Sequence, residues 1–307
     1  MRMPVDCPKG QTLRGWMALA MLVSLLAGCG RGSSEPALAL DRAPARIVSL
    51  APSVTDILFE LNLGDRVVGV TRYCRPPRSA GHLADVGGYL DINVEAIVAL
   101  EPDLVVLIQD HTATGIRLES LGLRTLQVDQ GTIPGILRSI EDISATCRVP
   151  AAGLQLVGEI RGRLDRVRRL TSGLERRRAL IVVGRDAGLG TIDSVWVAGR
   201  STFYNDVLDL AGGTNAVQST SVAYPEISRE GLLHLDPDVV FDLLADLDDR
   251  HVAPEVALAD WRDESGLRAV GEGRIYPVEE SWAVVPGARI ADLVEHCARL
   301  LHPEVRW

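Results

Sequence analysis

The chain has 307 residues, 47% of them hydrophobic and 24% charged, with a formal net charge of −9. That balance fits one large or two medium globular domains and excludes both a disordered chain and a multi-span membrane protein. The acidic surplus argues against nucleic acid as a partner, since binding phosphates needs clustered Lys and Arg, and it suits a basic partner instead.

Arg2, Lys9 and Arg14 flank an apolar stretch over 16–27 that is too short to span a bilayer comfortably, the pattern of a signal peptide. Leu26-Ala27-Gly28-Cys29 looks like a bacterial lipobox. The expectation is therefore removal of 1–28, lipidation of Cys29 and a flexible tether over 29–44 rich in small residues. Membrane contact would be through the lipid only, on the periplasmic or cell-surface side. Cys74, Cys147 and Cys297 then remain, an odd set in an oxidising compartment, allowing at most one disulfide.

From residue 45 onward, short apolar strands alternate with helices, which argues for α/β lobes with parallel sheets. Residues 46–50 read as a strand, followed by a helix over 54–61 with Ser53 as its N-cap and Asp56 in the capping-box position. A strand over 67–70 ends in a loop, since Pro76 and Pro77 can continue neither helix nor central strand. Asn93 then caps a short helix with Glu95 in its first turn. Pro102 breaks it, and 104–108 form a buried strand. The last strand of this N-terminal lobe (45–150) covers 124–128. Residues 151–178 contain no proline and carry Leu154, Val157, Ile160, Leu164, Val167, Leu170 and Leu174 at helical spacing, so they predict one long bridging helix. Its many arginines read as a solvated face with cations near the C-terminal end.

The C-terminal lobe, 179–307, repeats the pattern. Ser201 to Asp206 open a helix much as the Ser53 turn does, Gly212 and Gly213 follow its end, and further elements are expected near 258–267 (helix), 274–278 (strand) and 288–301 (helix). Ser228, Glu230, Asp236, Pro237 and Asp238 restate Asn93, Glu95, Glu101, Pro102 and Asp103 ahead of a second buried strand. Glu95 and Glu230 thus hold equivalent places in a duplicated lobe. Duplication implies a cleft between lobes, and a cleft implies a ligand.

Enzyme signatures are absent: there is no P-loop, His-Glu-x-x-His or Gly-x-Ser-x-Gly, and the six histidines show no metal-ligand spacing. The reading is a binding protein with neither catalytic nor metal-ligating residues. Tyr73, Tyr89, Trp196, Tyr224 and Trp282 all fall in loops expected at strand ends, where α/β sheets hold ligands, and flat side chains there suit a large planar or apolar ligand.

At these residues the chain resembles the ABC-transporter substrate-binding proteins of the periplasmic vitamin B12, haem and ferric-siderophore type. The resemblance runs from about Arg46 to the C-terminus and is carried by Arg46 to Ser53 with Thr55, Asp85-Val86-Gly87-Gly88-Tyr89, Ala99 to Val105, and Ile227 to Glu230. It implies two Rossmann-like lobes joined by one helix and a ligand held between them. It also implies a monomer whose glutamates, at the positions of Glu95 and Glu230, dock onto arginines of the membrane permease. The aromatics at Tyr73, Tyr89, Trp196, Tyr224 and Trp282 match loops that line the corrin in cobalamin receptors, so the implied ligand is cobalamin or a related corrinoid, with no cofactor. Haem is the alternative through Tyr89, and a ferric siderophore through Arg72, Arg185 or Arg200. One departure is that the second-lobe disulfide of the cobalamin receptor would need a cysteine near Ala211 to match Cys297, and none is present.

Overall fold

The computed structural model describes residues 42–307 apart from Thr220, Asp246 and Ser265. The predicted leader, Cys29 and nearly all of the tether lie outside the described residues. The first sheet holds β1 (Ile47–Ser49), β2 (Val67–Val70), β3 (Ala84–Asp85), β4 (Leu104–Ile108) and β5 (Thr125–Val128). They are all parallel, in the order β3-β2-β1-β4-β5. Helices α1 (Pro52–Glu60), α2 (Val94–Ala99), α3 (Thr112–Ser120) and α4 (Ile133–Thr146) connect and cover these strands. The middle strands are buried, as their unbroken apolar runs require.

After α5 (Pro150–Thr171) the second sheet follows. Its strands are β6 (Arg178–Gly184), β7 (Ser194–Val197), β8 (Thr214–Asn215), β9 (Glu226–Ser228), β10 (Val239–Leu243) and β11 (Ile275–Val278). Helices α6 (Phe203–Leu210), α7 (Arg229–Leu235), α8 (Leu247–Arg250), α9 (Pro254–Ala259), α10 (Arg268–Gly271) and α11 (Ile290–Leu301) complete the lobe. This sheet is mixed rather than wholly parallel: β6, β8, β10 and β11 run parallel, while β7 is antiparallel to both β6 and β9. The short link from β6 to β7 allows only a hairpin-like return, because a parallel crossover needs a dozen or more residues.

The sequence repeat is reproduced in the hydrogen bonds of the two copies. The Asn93 side chain accepts from the Ala96 amide at 2.9 Å, and Ser228 Oγ accepts from the Gly231 amide at 3.3 Å, so each caps its short helix. Before the prolines, Glu101 (φ 44) and Asp236 (φ 38) both turn left-handed to close those helices. The Asp103 amide donates to the Arg46 carbonyl and the Asp238 amide to the Arg178 carbonyl, both at 2.8 Å. Each carboxylate in turn accepts from the same arginine's amide, at 2.9 and 2.8 Å. The guanidinium of Arg46 reaches the Leu100 carbonyl, and that of Arg178 the Leu235 carbonyl. The acid-Pro-Asp phrase is therefore a clip that fastens the short helix and middle strand to the first strand of the lobe.

Helix α5 is shorter than the proline-free run predicts. Ser172 is extended and Gly173 has φ 79, so the helix ends at Thr171 and Arg178 already belongs to β6. Its buried stripe is Gly153, Val157, Ile160, Leu164 and Val167, ending on Thr171, and Leu154 is left outside it. Gly153 sets this register: a Cβ there would collide with the Ser144 side chain, so its absence lets α5 pack closely on α4. Arg163 on α5 holds Asp292 (2.7 Å) and Glu295 (2.9 Å) of α11. The segment expected as one helix near 258–267 is α9, a 3-10 turn over Asp260–Asp263, and α10.

The lobes also clasp each other reciprocally. Asp56 of α1 accepts from the Ala288 amide just before α11, at 2.8 Å. Asp206 of α6 accepts from the Ile133 amide that begins α4, at 2.9 Å. The first helix that follows a strand in each lobe thus caps the last helix of the other. Asp56 has this task instead of the predicted capping box, because Pro52 takes the first helical position and moves the N-cap back to Ala51. Ser53 lies inside α1, and its hydroxyl instead meets the Gln130 side chain.

Candidate functional site

The carboxyl ends of the first sheet bring together residues far apart in sequence. Tyr73 follows β2, Tyr89 follows β3, Asp110 and His111 follow β4, and Gln130 follows β5. Gly88 leaves room for the Asp91 carboxylate, with which a Cβ there would collide, and that Cβ would also lie 3.3 Å from the Tyr73 ring. The Tyr89 hydroxyl donates to the Asp110 carboxylate. Its backbone carbonyl meets His111 Nε2 at 3.0 Å, and the two rings lie 4.8 Å apart. Partial burial, then the Asp110 carboxylate, push the Tyr89 phenol above its ordinary range and keep it protonated. Burial lowers the His111 pKa against the pull of the Tyr89 carbonyl and Asp110, so its ring is held neutral. His111 Nδ1 and Gln130 Nε2 are buried without a hydrogen-bond partner among the described residues, as polar atoms at binding sites can be.

From the second lobe, Tyr224 precedes β9 and is 42% exposed. Burial raises its phenol, and Asp110 across the lobe boundary adds to the shift. Tyr224 in turn adds to the shift of Tyr89, so the two tyrosines and Asp110 form one electrostatic group. Trp196 lies in β7 rather than in a loop. It pairs in register with Gly184 and with Glu226 of β9, the strand that Tyr224 precedes, and is half exposed. Trp282 sits in the 3-10 turn after β11, half-buried against the core, with its ring edge-on to His296 at 6.0 Å and Arg289 5.5 Å over it. Trp282 is thus more committed to its own lobe than the other four aromatics.

The arginines separate clearly. Arg185 is not available to a ligand: its side chain is 1% exposed and grips Asp242 (2.8 Å) and Asp260 (2.7 Å). Asp242 also accepts from Trp261 Nε1, and Asp260 from the amides of Gly188 and Gly190, so this network pins the loop after β6. Arg72 is exposed and paired with Asp91 at 2.9 Å, and Arg200 reaches Gln218 at 3.4 Å.

Glu95 and Glu230 are both exposed, each in the first turn of its clip helix, α2 or α7. Arg117 of α3 touches Glu95 at 3.1 Å, and Arg229 reaches the buried Glu264 at 3.1 Å. Cys74, Cys147 and Cys297 are buried free thiols, and the Cys297 thiol is pushed up by burial alone. Among the described residues no His, Cys, Asp and Glu cluster could hold a metal ion, and no helix is long and apolar enough to cross a membrane.

Asp110 and His111 were within reach of sequence reasoning, since they directly follow a predicted buried strand. Their pairing with Tyr89 was not, because it joins two loops separated by a helix and a strand.

Comparison with known proteins gives this geometry a family. A vitamin B12-binding protein of Vibrio campbellii is 28% identical over 258 residues, covering 82% of this chain and 88% of that one. An uncharacterized ABC transporter substrate-binding lipoprotein of Bacillus subtilis, YvrC, is 26% identical over 318 residues, covering 94% and 96%. The crystal structure of the periplasmic vitamin B12 binding protein BtuF of Vibrio cholerae superposes with a TM-score of 0.72 at 25% identity, covering 85% of this chain and 98% of that one. The periplasmic binding protein model matches residues 47–278, from the first residue of β1 to the last of β11. With two clipped α/β lobes on one bridging helix and that match over most of its length, the chain belongs to the periplasmic binding protein family, whose members are solute-binding transport proteins.

Proposed function

We propose that this protein is the lipid-anchored substrate-binding component of an ABC importer, and that it captures cobalamin or a related corrinoid and hands it to the membrane permease. The observation that carries the ligand choice is the Tyr89–Asp110–Tyr224 group. It offers flat faces and protonated phenols from both lobes, which suit a large amide-fringed ring. In this reading Tyr73 and Trp196, both well exposed, and Trp282 also face the ligand. A carboxylate beside Tyr89 disfavours the phenolate that a ferric haem would need as ligand, and the burial of Arg185 removes one cation that a ferric siderophore would use. Similarity to proteins named for vitamin B12 binding points the same way.

The test is a titration of the protein lacking residues 1–28 with cyanocobalamin, haemin and several ferric siderophores, followed by tryptophan fluorescence. The expected outcome is a micromolar or tighter response to cyanocobalamin. A response to a siderophore or to haemin with none to cyanocobalamin would overturn the assignment.

In the same reading Glu95 and Glu230 are the docking carboxylates and Cys29 carries the lipid. Replacing both glutamates by alanine should abolish uptake while ligand affinity stays as it was. Replacing Cys29 by serine should release the protein from membranes.

A further inference from the structure

The two clip helices share more than a glutamate. In α2, Glu95 is exposed, Ala96 half-buried, Ile97 buried and Val98 exposed; in α7, Glu230 is exposed, Gly231 half-buried, Leu232 buried and Leu233 exposed. Ile97 and Leu232 supply the packing that anchors each helix. The next residue in each copy is a branched aliphatic side chain left in solvent, Val98 at 43% and Leu233 at 42% exposure. Residues three apart on a helix lie on one face, so each stands beside its glutamate. Single exposed aliphatics are ordinary on protein surfaces. An exposed aliphatic at the same place in both copies, beside the same carboxylate and unused by the core, is a repeated surface feature.

We propose that each lobe presents a two-part peg, a carboxylate with an aliphatic side chain three residues on, and that Val98 and Leu233 are buried together with Glu95 and Glu230 when the importer docks. This rests on the docking reading given above. Charge complementarity defines the partner surface: a cation that receives the carboxylate, next to an apolar hollow that receives the side chain, offered once to each lobe. Removing water from the aliphatic group also lowers the local dielectric around the ion pair and strengthens it. The apolar half of the peg therefore supports the charged half.

The experiment uses the lipidated full-length protein and its importer purified from the source organism into nanodiscs, with association measured by surface plasmon resonance. The variants are V98S with L233S, E95A with E230A, and L154S as an exposed aliphatic control outside the clip helices. All five positions are exposed. Circular dichroism and cyanocobalamin titration check that fold and ligand binding are unchanged. The expected result is that V98S with L233S weakens association by about tenfold or more, from the lost aliphatic burial, while L154S binds as wild type. If the glutamate variant loses association but V98S with L233S binds as tightly as wild type, the two-part peg is wrong and glutamate docking stands. If the glutamate variant binds as wild type, the docking reading fails and the peg fails with it.

Discussion

Arg185 shows how a charged residue can mislead a sequence reading and still be necessary. One guanidinium faces two buried carboxylates, and the loop it pins leads from β6 toward the strand that carries Trp196. Removing one partner of a buried ionic network leaves uncompensated charge, which costs ~3–5 kcal/mol. R185A should therefore lower the unfolding free energy measured in urea by that order and weaken ligand binding, whereas R72A, which breaks only an exposed pair, should leave stability within about 0.5 kcal/mol.

The same residues predict the acid response. Burial pushes Asp260 up, but Arg185 and the Gly188 and Gly190 amides outweigh it and hold the carboxyl below its ordinary range. Asp292 is likewise pushed up by burial and held low by Arg163 and Arg289. A depressed carboxylate contributes stability that is present above its unfolded pKa and lost as pH falls through the folded one. The lowered His111 and His296 have the same sign and act earlier in an acid titration, as pH falls below the ordinary histidine value. Asp56 and Asp206 are raised, chiefly by burial, so their contribution is present at low pH and lost as pH rises through their folded values. Urea midpoints measured against pH should therefore fall in two stages on acidification, first in the histidine window and again below about pH 4. In D292N the lower stage should be shallower; an unchanged acid limb would show that this carboxylate is not linked to folding.

Among the elements, those whose causes are local were legible. The clip phrase needs only a cap, a glutamate, an apolar pair, a proline and an apolar run, all within 15 residues, and both copies fold as read. N93A and S228A should each cost about 1 kcal/mol, the usual price of a side-chain cap. The double variant should cost the sum, since the two sites share no partner. Denaturant melts of the three proteins measure this, and a shortfall from additivity would mean that the two clips are coupled. Elements whose causes are distant were misread. Spacing alone could not place the stripe of α5, because Gly153 fixes it by its contact with Ser144 on another helix. It could not place Ser53, whose partner Gln130 lies 77 residues away, nor β7, which runs antiparallel to both β6 and β9. The site divides in the same way: Tyr73 and Tyr89 lie in loops after strands as read, Trp196 lies within β7 instead, and Asp110 as the partner of Tyr89 depends on tertiary contact.

At the scale of the whole molecule, the two lobes meet at a joint built twice. Asp56 caps α11 and Asp206 caps α4, each across the lobe boundary, while Arg163 ties the bridging helix to α11. Gly287 makes the first contact possible, since a Cβ there would lie 2.4 Å from the Asp56 carboxylate. Both caps act at the N-terminal ends of long helices, where a carboxylate satisfies amides that have no partner within the helix and complements the helix dipole. Two such caps oppose sliding of one lobe over the other and hold Tyr224 near Tyr89 and Asp110. Replacing either aspartate by alanine should raise hydrogen exchange at the capped amide, Ala288 or Ile133, by on the order of tenfold, equivalent to about 1.4 kcal/mol. The two together should speed ligand release, because the aromatic faces from the two lobes are then less firmly registered. The asparagine variants retain an acceptor of the same shape and remove a buried charge, so D56N and D206N should keep slow exchange and slow release. If the asparagine variants loosen as far as the alanine ones, the carboxylate charge rather than the cap geometry holds the lobes. If neither pair changes exchange or release, the lobes are held by the shared core around α5 alone.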